Sequence, residues 1–189
     1  MVKIRTFIAV TLPEQVLNEL NKLIEAMRPY ARGIKWVKPQ SIHLTLKFLG
    51  NISSAELEKV YQALERIFQS PHEQFILSTG KPGVFPGLKK PRVFWIGVSG
   101  SGLLQLERLQ NEVEESLYQE GFPKEERNFS PHLTIGRVKD RLDLPLLTEK
   151  FSAYDFPECE IPVRELQVMK SDLKPSGAVY SVQKSYRLR

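Results

Sequence analysis

The chain has 189 residues, 41% of them hydrophobic, with a net charge of +5 and a pI of about 9.3. These values suit one globular domain with a sizeable core and exclude a disordered chain. No apolar run nears the roughly 18 residues of a membrane span, the N-terminus lacks the long apolar segment of a signal peptide, and the lone Cys159 excludes an internal disulfide framework. A cytoplasmic protein with no membrane partner is expected, and Cys159 reads as structural.

"KIRTFIAV" at the N-terminus predicts a strand. Pro13 opens a helix with the periodic apolar residues Val16, Leu20, Leu23, Ile24 and Met27, ending near Pro29. "GIKWVKP" and "IHLTLKFLG" predict two strands divided by Pro39. "SSAELEKVYQALERIF" predicts a helix capped by Ser53 or Ser54, with Glu56 in its first turn. "FILSTG" and "RVFWIGVSG" predict strands around a loop, "KPGVFPGLKKP". A third helix, "GLLQLERLQNEVEESLYQEG", is closed by Gly121. "NFSPHLTIGRV" predicts the next strand. Residues 140–162, with Pro145, Pro157 and Pro162, read as connection with a short helix at 146–151. "VRELQVMKSDL" and "AVYSVQKSYRL" predict two closing strands around a "KPSG" turn.

Charge is unevenly spread. Acidic residues gather at 107–126. Basic ones gather at Arg28, Arg32, Lys35 and Lys38, at Lys81, Lys89, Lys90 and Arg92, and at Arg137, Lys139 and Arg141. Most of these are solvated faces; a basic rim around a site would attract phosphates.

One pattern stands apart from this background. "HLTLKFLG" begins at His43 and "HLTIGRVK" begins at His132, so His-apolar-Thr-apolar occurs twice. The chain has only three histidines and six threonines, which makes chance pairing rare. The motifs lie nearly half the chain apart, each on a strand flanked by strands and a helix. That organisation predicts a diverged internal duplication with one motif per lobe.

Side chains alternate along a strand. His43 and Thr45 therefore share one face while Leu44 and Leu46 share the other; His132 and Thr134 stand likewise against Leu133 and Ile135. If a pseudo-dyad relates the lobes, two imidazoles and two hydroxyls converge on one cleft. With an ordinary pKa near 6.5, one imidazole can serve as acid and the other as base at neutral pH. Two hydroxyls can donate to phosphoryl oxygens. The set matches displacement at a phosphodiester without a metal. A metal centre would need three or four ligands, and neither Asp nor Glu falls within two residues of either motif histidine. His72, in "SPHEQ", lacks the pattern and reads as a surface residue.

These residues resemble the two-histidine phosphoesterase superfamily. Within it the chain is similar to the bacterial and archaeal RNA 2',3'-cyclic phosphodiesterases, historically called 2'-5' RNA ligases. The likeness runs from "RTFIAV" through "WVKPQSIHLTLKFLG", "RVFWIGV" and "FSPHLTIGRV" to "VMKSDLKPSGAVYSVQKSYRL". It implies an α+β fold, a bilobal pseudo-two-fold duplication forming one two-lobed domain over residues 1–189. Antiparallel sheets would line a central cleft, with helices outside. It implies opening of a 2',3'-cyclic phosphate on an RNA end to a 2'-phosphate, with no cofactor and no obligatory protein partner. His43 would give a proton to the departing 3' oxygen and His132 would take one from water. Thr45 and Thr134 would hold the phosphate, and Arg137 would add positive charge beside it. On a regular strand Arg137 faces away from His132, so this last role requires a bulge or a strand end. The rival readings are a ligase running the same chemistry in reverse and a catalytically idle RNA-binding module.

Overall fold

Alternation along β1 (Ile4–Thr11) sets the frame of the fold. Ile8 and Val10 enter the main core, while Phe7 and Ala9 form a separate small cluster with Met169 on the opposite face. The structure, a computed structural model, describes residues 3–139, 144–174 and 177–189. After β1 come α1 (Glu14–Met27), β2 (Ile34–Trp36), β3 (His43–Ile52), α2 (Ser54–Ile67), β4 (Phe75–Phe85), β5 (Val93–Ser99) and α3 (Leu103–Gln119). The chain continues with β6 (His132–Val138), α4 (Pro145–Ser152), β7 (Glu160–Val163), β8 (Glu165–Lys174) and β9 (Gly177–Arg187).

Local chemistry explains the helix ends. Ser53 and Glu56 form a reciprocal capping box on α2: the Glu56 amide donates to Ser53 Oγ, and the Ser53 amide donates to the Glu56 carboxylate at 2.7 Å. Past α3, Gly121 adopts φ +93° and the Phe122 amide returns to the Leu117 carbonyl, the αL closure the sequence called for.

The expected antiparallel α+β architecture is present, with one difference. Instead of two sheets there is one, in the order β7-β4-β5-β6-β3-β1-β8-β9, with β2 attached to β6. Its two halves meet at a single registered pair, Leu44 opposite Leu133. The order is pseudo-symmetric. β5–α3–β6 runs strand, helix, motif strand, β1–α1–β3 does the same with the short β2 inserted before β3, and β8 flanks β1 as β4 flanks β5. The chain crosses between halves after each motif strand, since α2 leads to β4 beside β5, and α4 leads by way of β7 to β8 beside β1.

The buried stripes of all four helices and alternate sheet residues such as Ile8, Leu44, Phe94 and Leu133 make one continuous core. A side chain of Leu or Phe size contributes about 1.5–3 kcal/mol by full burial. The motif strands thus lie on a firm support, and their other face is left free for chemistry.

Three expectations are corrected. β4 continues through the anticipated loop to Phe85, because Gly83 pairs with Trp95 and Phe85 with Val93. Pro82 follows a register shift, where a missing ladder N–H is tolerated. Gly83 is required there: a Cβ would lie 2.3 Å from the Trp95 indole. Second, residues 160–163 form β7 on the edge of the sheet, where Pro162 is also tolerated. Third, β2 covers only Ile34–Trp36 of the anticipated strand, and it pairs with β6. Lys174 faces Gly177 in the β8–β9 register; residues 175–176 of the anticipated turn lie outside the described residues, as does Arg141.

Candidate active site

His43 opens β3 and His132 opens β6. Each ring is held by the backbone two residues before it. His43 Nδ1 lies 2.9 Å from the Ser41 carbonyl, and His132 Nδ1 lies 2.7 Å from the Ser130 carbonyl. A carbonyl only accepts, so each Nδ1 carries a hydrogen and donates it, which leaves each Nε2 as the atom that exchanges a proton.

The Leu44–Leu133 pair fixes how the motifs face one another. In an antiparallel register it sets His43 toward Thr134 and Thr45 toward His132. All four are half-buried and line one cleft of about 390 Å3. Arg5, Phe48, Arg137 and Tyr180 also line it, and among the described residues no Asp or Glu does. Two guanidiniums without a carboxylate make the cleft a place for an anion.

Arg137 reaches this cleft through a bulge. Gly136 pairs with Phe94 and Thr134 pairs with Trp95, so Ile135 is an extra residue on β6. The insertion turns Gly136 inward and Arg137 outward, meeting the condition the sequence imposed. β3 repeats the device. Lys47 pairs with Ile8 and Thr45 with Ala9, leaving Leu46 as the extra residue. Lys47 is therefore buried, where its ammonium meets the Glu114 carboxylate at 2.7 Å and the Pro123 carbonyl at 2.8 Å. Phe48, the counterpart of Arg137, emerges into the cleft.

The two imidazoles sit in different surroundings. His43 stacks on Phe7 at 4.5 Å between ring centroids and meets the edge of Tyr180 at 5.1 Å. Burial in this aromatic recess pulls its pKa below the ordinary histidine value, and the bond to the Ser41 carbonyl opposes the shift. His132 meets the Phe85 ring edge-on at 5.1 Å and lies 6.2 Å from the Trp95 ring. Burial pushes the Tyr180 hydroxyl up, against the pull of Arg137 and Arg5.

All five residues singled out in the sequence, His43, Thr45, His132, Thr134 and Arg137, meet in this cleft. Arg5, Phe7 and Tyr180 were not anticipated. Arg5 and Phe7 were within reach, because strict alternation along "IRTFIA" puts them on the face opposite Ile8. Tyr180 arrives from β9, and only the three-dimensional pairing of β9, β8 and β1 brings it in. The remaining candidates lie elsewhere. His72 is half-buried, not a free surface residue. Its Nδ1 is 3.0 Å from the Ser70 carbonyl and its Nε2 is 2.8 Å from the Glu112 carboxylate, away from the cleft. Cys159 is in the core, and burial raises its thiol pKa. Among the described residues, no group of three His, Cys, Asp or Glu is arranged to hold a metal. No helix among them is long and apolar enough to cross a membrane.

Both the sequence and the antiparallel fold match a known family. The profile of the 2'-5' RNA ligase superfamily matches residues 13–175, and the chain belongs to that family. An Archaeoglobus fulgidus protein named RNA 2',3'-cyclic phosphodiesterase is 33% identical over 177 residues, covering 93% of this chain and 96% of the relative. A protein of the same name from Aquifex aeolicus is 39% identical over 157 residues, covering 82% of this chain and 81% of its own length. Among solved structures, a Thermus thermophilus protein superposes with a TM-score of 0.75 at 31% identity over 98% of both chains. Escherichia coli LigT, solved with 3'-AMP, gives 0.73 at 22% identity over 98% of both, a likeness of fold.

Proposed function

We propose that this protein hydrolyses the 2',3'-cyclic phosphate at an RNA end to a 2'-phosphate, using its two motif histidines and no metal. The observation that carries the reading is the pair of imidazoles, each with Nδ1 tied to a carbonyl, on neighbouring strands of one cation-lined cleft. The names borne by its relatives support the substrate.

The steps balance with these groups alone. Water attacks phosphorus, and its proton passes to His132 Nε2. The bond from phosphorus to the 3' oxygen breaks, and that oxygen takes the proton from His43 Nε2. Thr45 and Thr134 donate to the phosphoryl oxygens, while Arg137 and Arg5 offset the charge that builds on them. The recess around His43 disfavours the imidazolium in the empty cleft. A bound phosphate anion favours it again, so the acid is charged when substrate is in place.

Residues 1–189 act in this reading as one two-lobed unit with one motif from each lobe, working in the cytoplasm with RNA as its partner. The test is turnover of a short RNA with a 2',3'-cyclic phosphate end, its product read by phosphorus NMR. A 2'-phosphate is expected. A 3'-phosphate product, or none, overturns the assignment.

A further inference from the structure

Beside the cleft runs a second, larger groove of about 830 Å3. The two share Thr45, Phe48, His132 and Arg137, so one trough passes over the paired motifs and continues beyond them. Past the shared residues the groove is walled by Phe85 and Phe129, with Arg92 and Arg127 along it. Both arginines are exposed, and neither pairs with a carboxylate among the described residues. Two carboxylates also line the groove. Glu114 is bound by Lys47 and by the Glu125 amide at 2.6 Å, and Glu125 is exposed. At the junction Phe48 is 47% exposed, with the Arg5 guanidinium 4.5 Å over its ring.

We propose that this groove binds the nucleotide preceding the cyclic-phosphate end, so that the enzyme acts on RNA chain ends in preference to free cyclic nucleotides. The proposal rests on the phosphodiesterase reading above. The cyclic phosphate sits between the two motifs, beside the residues that cleft and groove share. The terminal ribose then has two other exits, its base and its 5' oxygen. At about 390 Å3 the cleft suits one nucleoside, being near the low end of the roughly 300–1,000 Å3 of small-molecule sites. The base turns into it, toward Tyr180. The 5' oxygen leads into the groove, where unpaired guanidiniums meet the next phosphate and a phenyl face meets the next base. Arginine takes phosphate oxygens two at a time, and aromatic faces stack bases of any sequence, the two devices by which single strands are held.

The test compares kcat/KM on a 2',3'-cyclic mononucleotide with kcat/KM on a dinucleotide bearing the same cyclic end. Wild type is measured beside an Arg92→Ala/Arg127→Ala variant. The variant should fold, because Arg92 holds its turn by the backbone: its amide donates to Phe85 at 2.7 Å and its carbonyl accepts from Val138 at 2.9 Å. Wild type is expected to favour the dinucleotide by about 10-fold or more, and the variant to lose about 10- to 100-fold on it, the scale of a lost hydrogen bond to a charged group. The mononucleotide value should stay unchanged. Equal efficiency on both substrates in wild type, or an equal loss on both in the variant, overturns the groove's role. Failure of wild type to open either substrate removes the phosphodiesterase reading, and the proposal with it.

Discussion

Leu44 lies opposite Leu133, the one registered pair between β3 and β6, and these two buried leucines bring the halves of the site together. Their burial on the helix side leaves His43, Thr45, His132 and Thr134 on the other side, in the cleft. The four polar side chains can therefore be truncated without opening the core. Replacing either His43 or His132 by Ala should lower kcat/KM by the roughly 10²–10⁴-fold typical of general acid–base catalysis, with an unchanged circular dichroism spectrum. The double replacement should cost far less than the product of the singles, because the two act as a unit. Thr45→Ala and Thr134→Ala should each cost about 1–3 kcal/mol of transition-state stabilisation. Near-normal turnover by either His→Ala variant with the fold intact would remove the two-histidine mechanism.

The recess around His43 gives a prediction in pH. Burial against Phe7 and Tyr180 lowers this pKa. The folded protein therefore binds fewer protons here than the unfolded chain once pH falls toward the ordinary histidine value near 6.5. The stability tied to the neutral ring is present above that value and is lost as pH drops through the lower folded pKa. Histidine NMR titration of the free protein should place His43 below the ordinary midpoint. Tyr180→Ser, which admits water to the ring, should raise that midpoint, and so should saturating inorganic phosphate in the cleft. A midpoint that ignores both changes would mean that burial is not the cause.

The proposed catalytic pair was legible in the sequence because its signal is local. A strand of period two places His43 with Thr45 and His132 with Thr134 with no knowledge of the fold. Arg137 was legible only conditionally, since a single extra residue, Ile135, decides its face and bulges leave little mark in composition. Tyr180 was not legible, because it reaches His43 through two intervening strands, β8 and β1. The long β4 was hidden by Pro82 and Gly83, which read as loop and serve here as a register shift and a bed for Trp95.

Chelation should leave turnover intact. The proposed acid, base and phosphate donors are all side chains of this protein, so activity in excess EDTA should match activity without it. Loss on chelation with recovery on adding a divalent cation would require a different mechanism.

Lys47 is the test of the support beneath the motif. Its side chain is 5% exposed and that of Glu114 is 13% exposed, so the pair ties β3 to α3 away from bulk water. The cost of removing one partner of a buried pair is about 3–5 kcal/mol, since the other charge is stranded. The Glu125 amide on the same carboxylate puts Lys47→Ala toward the lower end. Urea unfolding should show that loss, while Lys47→Met with Glu114→Gln should recover much of it. The kcat of each folded variant on a 2',3'-cyclic mononucleotide should stay near wild type, because Lys47 and Glu114 lie outside the cleft of the two motifs.

The bulge itself can be tested through Gly136, which occupies in the second motif the place of Lys47 in the first. A Cβ on Gly136 would lie 2.8 Å from Trp36 Cε3 and 3.0 Å from Cζ3, because Trp36 of β2 pairs with Gly136 of β6 at this point. Gly136→Ala therefore forces Trp36 or the strand to move, and the strand is what aims Arg137 into the cleft. Arg137→Ala should lower kcat/KM by about 10- to 100-fold, the scale of a lost hydrogen bond to a charged group. Arg137→Lys should recover only part of this, because a point charge replaces a planar fork. Gly136→Ala should show a loss in the same direction without altering any of the proposed phosphate-binding side chains. Adding Trp36→Leu to Gly136→Ala removes the obstructing ring and should restore activity toward wild type. Full activity in Gly136→Ala alone would show that the cleft does not depend on the close approach of Trp36 to β6.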